Sequence, residues 1–121
     1  MSIFPNWLCT NARKFIHLED DLPVDQHMLL SLIAPRPLYV ASAIEDNWAD
    51  PRGEYLSAYH AGAVYRLYNK TGLVSASTPA VGQAFVKQDV GYHIREGGHS
   101  VEPYDWEQFI EFADFHFTGN K

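Results

Sequence analysis

Apolar residues along this chain gather into short blocks separated by polar stretches rich in glycine and proline. Two blocks read as strands. Leu38-Tyr39-Val40-Ala41-Ser42-Ala43 is nearly continuous in apolar character and follows Pro35-Arg36-Pro37, the pattern of a strand covered on both faces in a parallel sheet. Val90-Gly91-Tyr92-His93-Ile94-Arg95 is the second. Each is followed by a helical pattern. Asp50 caps the first helix and Pro51 takes its first position, where a missing N–H costs nothing. Tyr55, Leu56, Tyr59, Ala63 and Leu67 then recur at helical spacing, out to about residue 68. Pro103 opens the second helix, which runs to about residue 117 and is expected to bury Trp106, Phe109, Ile110, Ala113 and Phe117. Upstream, Asp25 is a plausible N-cap for a short helix over residues 27–33, stopped by Pro35. Residues 6–17 are expected to be helical, 18–24 an acidic loop, and 69–89 a long irregular connection. Two strands, each followed by a helix, make the tail of a doubly wound, mostly parallel sheet, and the fold class is α/β.

Composition narrows the partners. Of 121 residues, 46% are hydrophobic and 14% aromatic, which describes a core-forming chain. Nine basic against fifteen acidic residues leave a net charge of −6, which argues against nucleic acid or an anionic membrane as partner. No apolar run approaches a membrane span, and the N-terminus lacks a signal-peptide pattern. A single cysteine, Cys9, excludes an internal disulfide framework and leaves the compartment open.

The candidate chemistry lies just beyond the two strands. In Gly97-Gly98-His99-Ser100, glycines let the backbone aim an imidazole out of a loop, a few residues before a helix start. α/β-Hydrolases present their general-base histidine in this way, late in the chain and after a strand, with a carboxylate partner earlier in sequence. The bland alternative is a histidine filling a polar loop. Directly after the first strand, Ile44-Glu45-Asp46-Asn47-Trp48-Ala49-Asp50 supplies carboxylates at the strand's C-terminal end, where open α/β sheets place ligand sites. Such a group would hold the imidazole in one tautomer. Asp50 is better explained as the helix cap, and Glu45 is the fallback if Asp46 points away. No Gly-x-Ser-x-Gly turn is present, and neither Cys9 nor any of Ser2, Ser31, Ser42, Ser57, Ser75, Ser77 and Ser100 sits in a nucleophile context. His93 reads as a structural histidine hydrogen-bonded beneath the loop, His27 as a satisfied histidine at a helix start, and His17, His60 and His116 as surface or packing residues. Tyr104, Asp105 and Trp106 are expected to pin the last helix so that the histidine loop is rigid. A zinc site from His93, His99 and Asp46 has suitable ligand types, but no two histidines show the helical His-x-x-x-His spacing.

Several ordered blocks carry a family likeness: Leu22-Pro23-Val24-Asp25-Gln26-His27-Met28-Leu29-Leu30, Ile33-Ala34-Pro35-Arg36-Pro37, Glu45 through Glu54, and Gly91-Tyr92-His93-Ile94-Arg95 with Gly97-Gly98-His99. Together they resemble the glucuronoyl esterases (carbohydrate esterase family 15), in their bacterial branch, from about Phe4 to Phe117. The resemblance implies an α/β-hydrolase, a three-layer α/β/α sandwich. Its activity would be cleavage of esters between (4-O-methyl)glucuronic acid on glucuronoxylan and lignin alcohols. It implies further that residues 1–121 are the C-terminal portion of one such domain. The serine nucleophile, its neighbouring oxyanion arginine and an alternative acidic residue would belong to a preceding N-terminal half. Residue by residue, His99 matches the family's base, Asp46 its acid, and Trp48 an aromatic that contacts the uronic-acid ring. There are two departures from the family pattern: Ile44 and Glu45 stand where two acidic residues are frequent, and Ser100 stands where Asp is common. No metal or organic cofactor is implied. A secreted or periplasmic location is suggested by the resemblance. Alternatives are another carbohydrate esterase, such as an acetyl-xylan esterase, or a non-catalytic binding or structural fragment.

Overall fold

The computed structural model describes residues 5–119; Phe4, where the resemblance begins, lies outside them. The elements in chain order are α1 (Gln26–Ser31), β1 (Leu38–Ala43), α2 (Pro51–Leu67), β2 (Ala84–Phe85), β3 (Val90–Arg95) and α3 (Pro103–Phe117). The strands form one sheet in the order β1-β3-β2. β1 and β3 run parallel, with Leu38 opposite Val90 and Ala43 opposite Arg95, while β2 is antiparallel to β3. Every residue of β3 is buried, as expected of a central strand flanked on both sides.

Helices cover both faces. Val90, Tyr92 and Ile94 alternate onto one face and join Leu38 with Tyr55, Ala58, Ala61 and Tyr65 of α2 in the main core cluster. Small residues at 58 and 61 let α2 lie close to the strands, while Gly62 lets the connection at Gly72 approach the helix. Burial of each large side chain here contributes on the order of 1.5–3 kcal/mol. The buried tyrosines keep their hydroxyls satisfied: Tyr55 donates to the Ser75 carbonyl at 2.8 Å and Tyr65 to the Arg36 carbonyl at 2.7 Å. On the other face, Tyr39, Gly91 and His93 meet Phe109 and Phe112 of α3. Gly91 is required by that packing, because a Cβ there would lie 2.4 Å from the Tyr39 ring and 2.8 Å from Phe112.

Strands β1 and β3 and helix α3 fall where the sequence pattern places them, and Pro51 and Pro103 open their helices. Asp50 caps α2 by accepting from the Gly53 amide at 3.1 Å, in a left-handed conformation (φ 56°) that aspartate tolerates better than most residues.

Four expectations need correction. Residues 6–17 do not form a helix; they carry isolated 3₁₀ turns, among them Ala12–Phe15, because their apolar residues lack a continuous periodicity. The short helix α1 starts at Gln26 and ends at Ser31, with Asp25 capping it. The connection over residues 69–89 contains β2, which makes the sheet mixed. The buried stripes of the long helices are also rotated from those expected. In α2, Ala63 and Leu67 are exposed, while Ala58, Ala61, Gly62 and Tyr65 are buried. In α3, Phe112 and Asp105 are buried, whereas Trp106, Ile110 and Phe117 are exposed and Ala113 is only half-buried. The stripe turns because a polar side chain, Asp105, goes inward to meet His93 and Arg95 and carries the 109–112–116 face with it.

Candidate active site

Strand register brings the two candidate loops together. Ala43 and Arg95 end β1 and β3 side by side, so the turn after Ala43 and the loop after Arg95 leave the same edge of the sheet. Backbone bonds tie them: the Ile44 amide donates to the Arg95 carbonyl at 2.9 Å and the Glu45 amide to the Gly97 carbonyl at 3.0 Å. Gly97 has φ +88°, a left-handed turn that glycine takes without strain.

At that edge His99 Nδ1 lies 2.6 Å from Asp46 Oδ2, although the residues are 53 positions apart. The carboxylate is largely sheltered, 11% exposed, while the imidazole is 90% exposed. The carboxylate accepts from Nδ1–H, which leaves the Nε2 lone pair directed away from Asp46 and available as a base. Glu45 is exposed and engages the histidine loop only through its backbone. Trp48 is 75% exposed two residues beyond Asp46, so it does not plug the core.

A cavity of about 290 Å³ opens between the loops, lined in part by Ser42, Asp46, Glu54, Arg95, His99 and Asp105. Sequence reading gave Glu54 no role of its own. It accepts from Ser42 Oγ at 2.7 Å, and burial first, then the neighbouring Asp46 and Asp50 charges, push its carboxyl above the ordinary value. Its position in the first turn of α2, facing the sheet, was the available signal. Neither serine on the cavity is poised as a nucleophile: Ser42 is buried and donates to Glu54, and Ser100 donates to Glu102 at 2.7 Å.

Beneath the loop sits a second set, centred on the buried His93 and Asp105. His93 Nε2 lies 2.7 Å from Asp105 Oδ1, and His93 Nδ1 lies 2.9 Å from the Tyr39 hydroxyl. Burial holds the His93 imidazole below its ordinary pKa, against the pull of Asp105 and with the help of the Arg95 charge. A neutral ring therefore donates from Nε2 to the carboxylate and accepts at Nδ1 from Tyr39. Burial alone would raise Asp105, but bonds from the Glu102 amide, His93 and Arg95, together with the Arg95 charge, hold it below the usual carboxylate value. His93 is thus the structural residue expected, and with both nitrogens engaged it cannot serve the zinc alternative. No cluster of three or more His, Cys, Asp or Glu among the described residues is arranged to hold a metal. Tyr104 and Asp105 do pin α3, through the Gly82 carbonyl at 3.1 Å and the buried set respectively. Trp106, expected to help, instead stacks edge-on against Phe109 with most of its surface exposed.

A strand-loop-helix histidine facing a strand-end acid, on a sheet covered by helices, is the architecture of an α/β-hydrolase. Comparison with known proteins gives the family. A family model described as glucuronyl esterase, fungi, matches residues 4–70. The chain is 49% identical over 116 residues to carbohydrate esterase MZ0003 from an unknown prokaryotic organism, covering 96% of this chain and 27% of that protein. Two solved structures superpose on nearly all of it. A promiscuous CE15 esterase from a marine bacterial metagenome has a TM-score of 0.88 at 48% identity, over 94% of this chain and 28% of its own. A glucuronoyl esterase from Solibacter usitatus has a TM-score of 0.87 at 43% identity, over 93% and 29%. The chain belongs to the glucuronoyl esterase family, a family of carboxylic ester hydrolases with the α/β-hydrolase fold. It spans somewhat more than a quarter of the length of these relatives.

Proposed function

We propose that this chain contributes the general base and its acid partner to a serine esterase that cleaves esters of (4-O-methyl)glucuronic acid, the linkage joining glucuronoxylan to lignin alcohols. The carrying observation is the 2.6 Å contact between His99 Nδ1 and Asp46 Oδ2 at the shared edge of two parallel strands. In this reading His99 Nε2 takes the proton of a serine hydroxyl as its oxygen attacks the ester carbonyl. The proton then passes to the departing alcohol, leaving an acyl-enzyme. The same nitrogen next activates the water that releases the uronic acid. Asp46 fixes the tautomer and stabilises the imidazolium, and Trp48, exposed beside it, seats the uronate ring.

The serine comes from sequence that precedes this segment in the domain. Supporting that, β1 forms the edge of the sheet and pairs with β3 alone among the described residues. Parallel strands of this composition are normally flanked on both sides. The remainder of the domain would add along this edge and supply the nucleophile.

The test replaces the matching segment of the 49%-identical carbohydrate esterase with these 121 residues and assays benzyl glucuronate hydrolysis, the isolated chain serving as blank. In an active chimera, His99→Ala is expected to lower kcat by at least about 10³-fold, and Asp46→Asn by about 10²–10⁴-fold. Turnover unchanged by His99→Ala overturns the reading. One solved relative is described as a promiscuous CE15 esterase, so acetylated xylan belongs in the same assay; a preference for it would redirect the substrate class.

A further inference from the structure

We propose that Arg95 is the positioning residue for His99: anchored on Asp105, its guanidinium grips the loop carbonyls on both sides of the histidine and so sets the direction in which the imidazole meets Asp46. The proposal rests on the reading of His99 and Asp46 as base and acid.

The His99 ring is itself 90% exposed, and its one hydrogen-bond partner among the described residues is Asp46. Packing therefore does not orient it. Its direction comes from the backbone of residues 96–100, a stretch with two adjacent glycines that has little stiffness of its own. Arg95 closes β3 and is 7% exposed. Its Nε donates to both Asp105 oxygens, at 2.8 and 3.0 Å. Its Nη1 donates to the Glu96 carbonyl at 2.7 Å. Its Nη2 reaches the Gly98 carbonyl at 3.4 Å, the Ser100 hydroxyl at 3.3 Å and, at short range, the Ser100 carbonyl.

One rigid fork thus holds carbonyls at 96, 98 and 100, bracketing residue 99. Only a planar guanidinium presents donors in such a fan; a lysine would keep the charge but address the loop as a point. The fork is fixed in turn, since Asp105 also binds His93 at 2.7 Å and the Glu102 amide at 2.7 Å, at the start of α3. Gly97 completes the fit: a Cβ there would stand 3.2 Å from the Arg95 Nη1 atom.

A merely structural role would cost stability and leave the imidazole's tautomer alone. The experiment labels the histidine ring nitrogens of the full chain with ¹⁵N. The Nδ1–H to Nε2–H ratio of His99 is then read at a pH where the ring is neutral, in wild type, Asp46→Asn, Arg95→Lys and Arg95→Gln. Wild type is expected to hold the proton on Nδ1. Asp46→Asn should lower the ratio about tenfold, as loss of one charge-assisted hydrogen bond implies. Arg95→Lys and Arg95→Gln should lower it as far, while His93 keeps its neutral Nε2–H tautomer on Asp105 and so reports an intact interior.

No response to Asp46→Asn would remove the acid–base reading itself. A response to Asp46→Asn with none to either Arg95 variant would overturn the Arg95 proposal alone. Should both Arg95 variants fail to fold, wild-type relaxation decides. Amides 96–100 as rigid as those of β3, with a slowly exchanging Arg95 Nε–H, are expected; order parameters below about 0.6 at amides 96–100 would overturn the proposal. In the active chimera Arg95→Lys should lower kcat at least about tenfold with KM held.

Discussion

Asp105→Asn is the substitution whose cost follows most directly from the structure. The carboxylate is 5% exposed and binds three donors: Arg95 Nε through both oxygens, His93 Nε2 through Oδ1 and the Glu102 amide through Oδ2. An amide of the same shape has one acceptor oxygen and one NH₂ group. Either flip sets that NH₂ against Arg95 Nε and one of the other two donors. His93 can relieve one conflict by changing tautomer, with Tyr39 accepting instead of donating, but nothing restores the counter-charge to Arg95. Breaking a buried pair by removing one partner costs about 3–5 kcal/mol, and the loop carbonyls that already share the guanidinium place this case near the lower end. Weakening the capping box of α3 adds on the order of 0.5–1 kcal/mol. The expected loss is therefore about 3–4 kcal/mol, a large part of the ~5–15 kcal/mol typical of a domain. Urea unfolding followed by circular dichroism at pH 7 measures it, with exposed Asp114→Asn as the control expected within about 0.5 kcal/mol. The sign of the pH dependence is fixed as well. The Asp105 carboxyl is depressed in the folded chain, so its contribution is present above its ordinary value of 3.8 and lost as pH falls through the folded value. The gap between wild type and variant should close in strong acid. A loss below about 1 kcal/mol at pH 7 would refute the account of Asp105 as the charge anchor of this interior.

Three further outcomes are expected. Gly91→Ala should destabilise by about 1–3 kcal/mol in the same urea experiment, because its methyl would overlap Tyr39 and Phe112 in a closed layer; a neutral effect would mean that α3 is free to move off the sheet. The His93 ring is held neutral by burial, so its contribution to stability is complete above the ordinary histidine value of 6.5 and is lost as pH falls below it, with a slope of at most about 1.4 kcal/mol per pH unit. Thermal melts between pH 8 and 5 should show that slope and His93→Gln should flatten it; identical profiles would remove His93 from the account. The isolated chain should run larger than 13.7 kDa in size-exclusion chromatography, since Leu29, Leu32, Trp106, Ile110 and Phe117 are exposed; a monomer with a sharp, reversible transition would show that the segment is self-sufficient.

The fold was legible wherever one physical signal dominated. Pro35-Arg36-Pro37 and a six-residue run broken only by Ser42 leave little choice for β1, and Pro103 after Glu102 fixes the start of α3. The signal failed where size misled. In α2 the large residues Leu56, Tyr59 and Leu67 drew the predicted stripe, whereas the helix approaches the sheet through Ala58 and Ala61, whose small side chains carry little weight in a hydrophobic pattern. β2 was missed for a related reason. Two residues cannot show an alternation, and Ala84–Phe85 is a strand only because β3 offers it an edge.

The outer part of the site was readable because strand order is simple. Consecutive parallel strands joined by one helix tend to be neighbours, so residues just beyond each C-terminal end share an edge. With Ala43 opposite Arg95, Asp46 stands three residues past one strand end and His99 four past the other, close enough for a 2.6 Å contact. The inner part obeys no such rule. The sequence marks His93 as hydrogen-bonded beneath the loop and Asp105 as a pin for α3, but nothing in the pattern pairs them with each other or with Arg95. Only their mutual satisfaction makes burial affordable, and that depends on which face of α3 turns inward. The dependence also runs the other way. Had Asp105 faced solvent, Arg95 would have lost its anchor, the carbonyls at 96, 98 and 100 their common donor, and the imidazole at 99 the stiffness of its loop. Helix α3, which carries neither His99 nor Asp46, is in this sense part of the geometry of both.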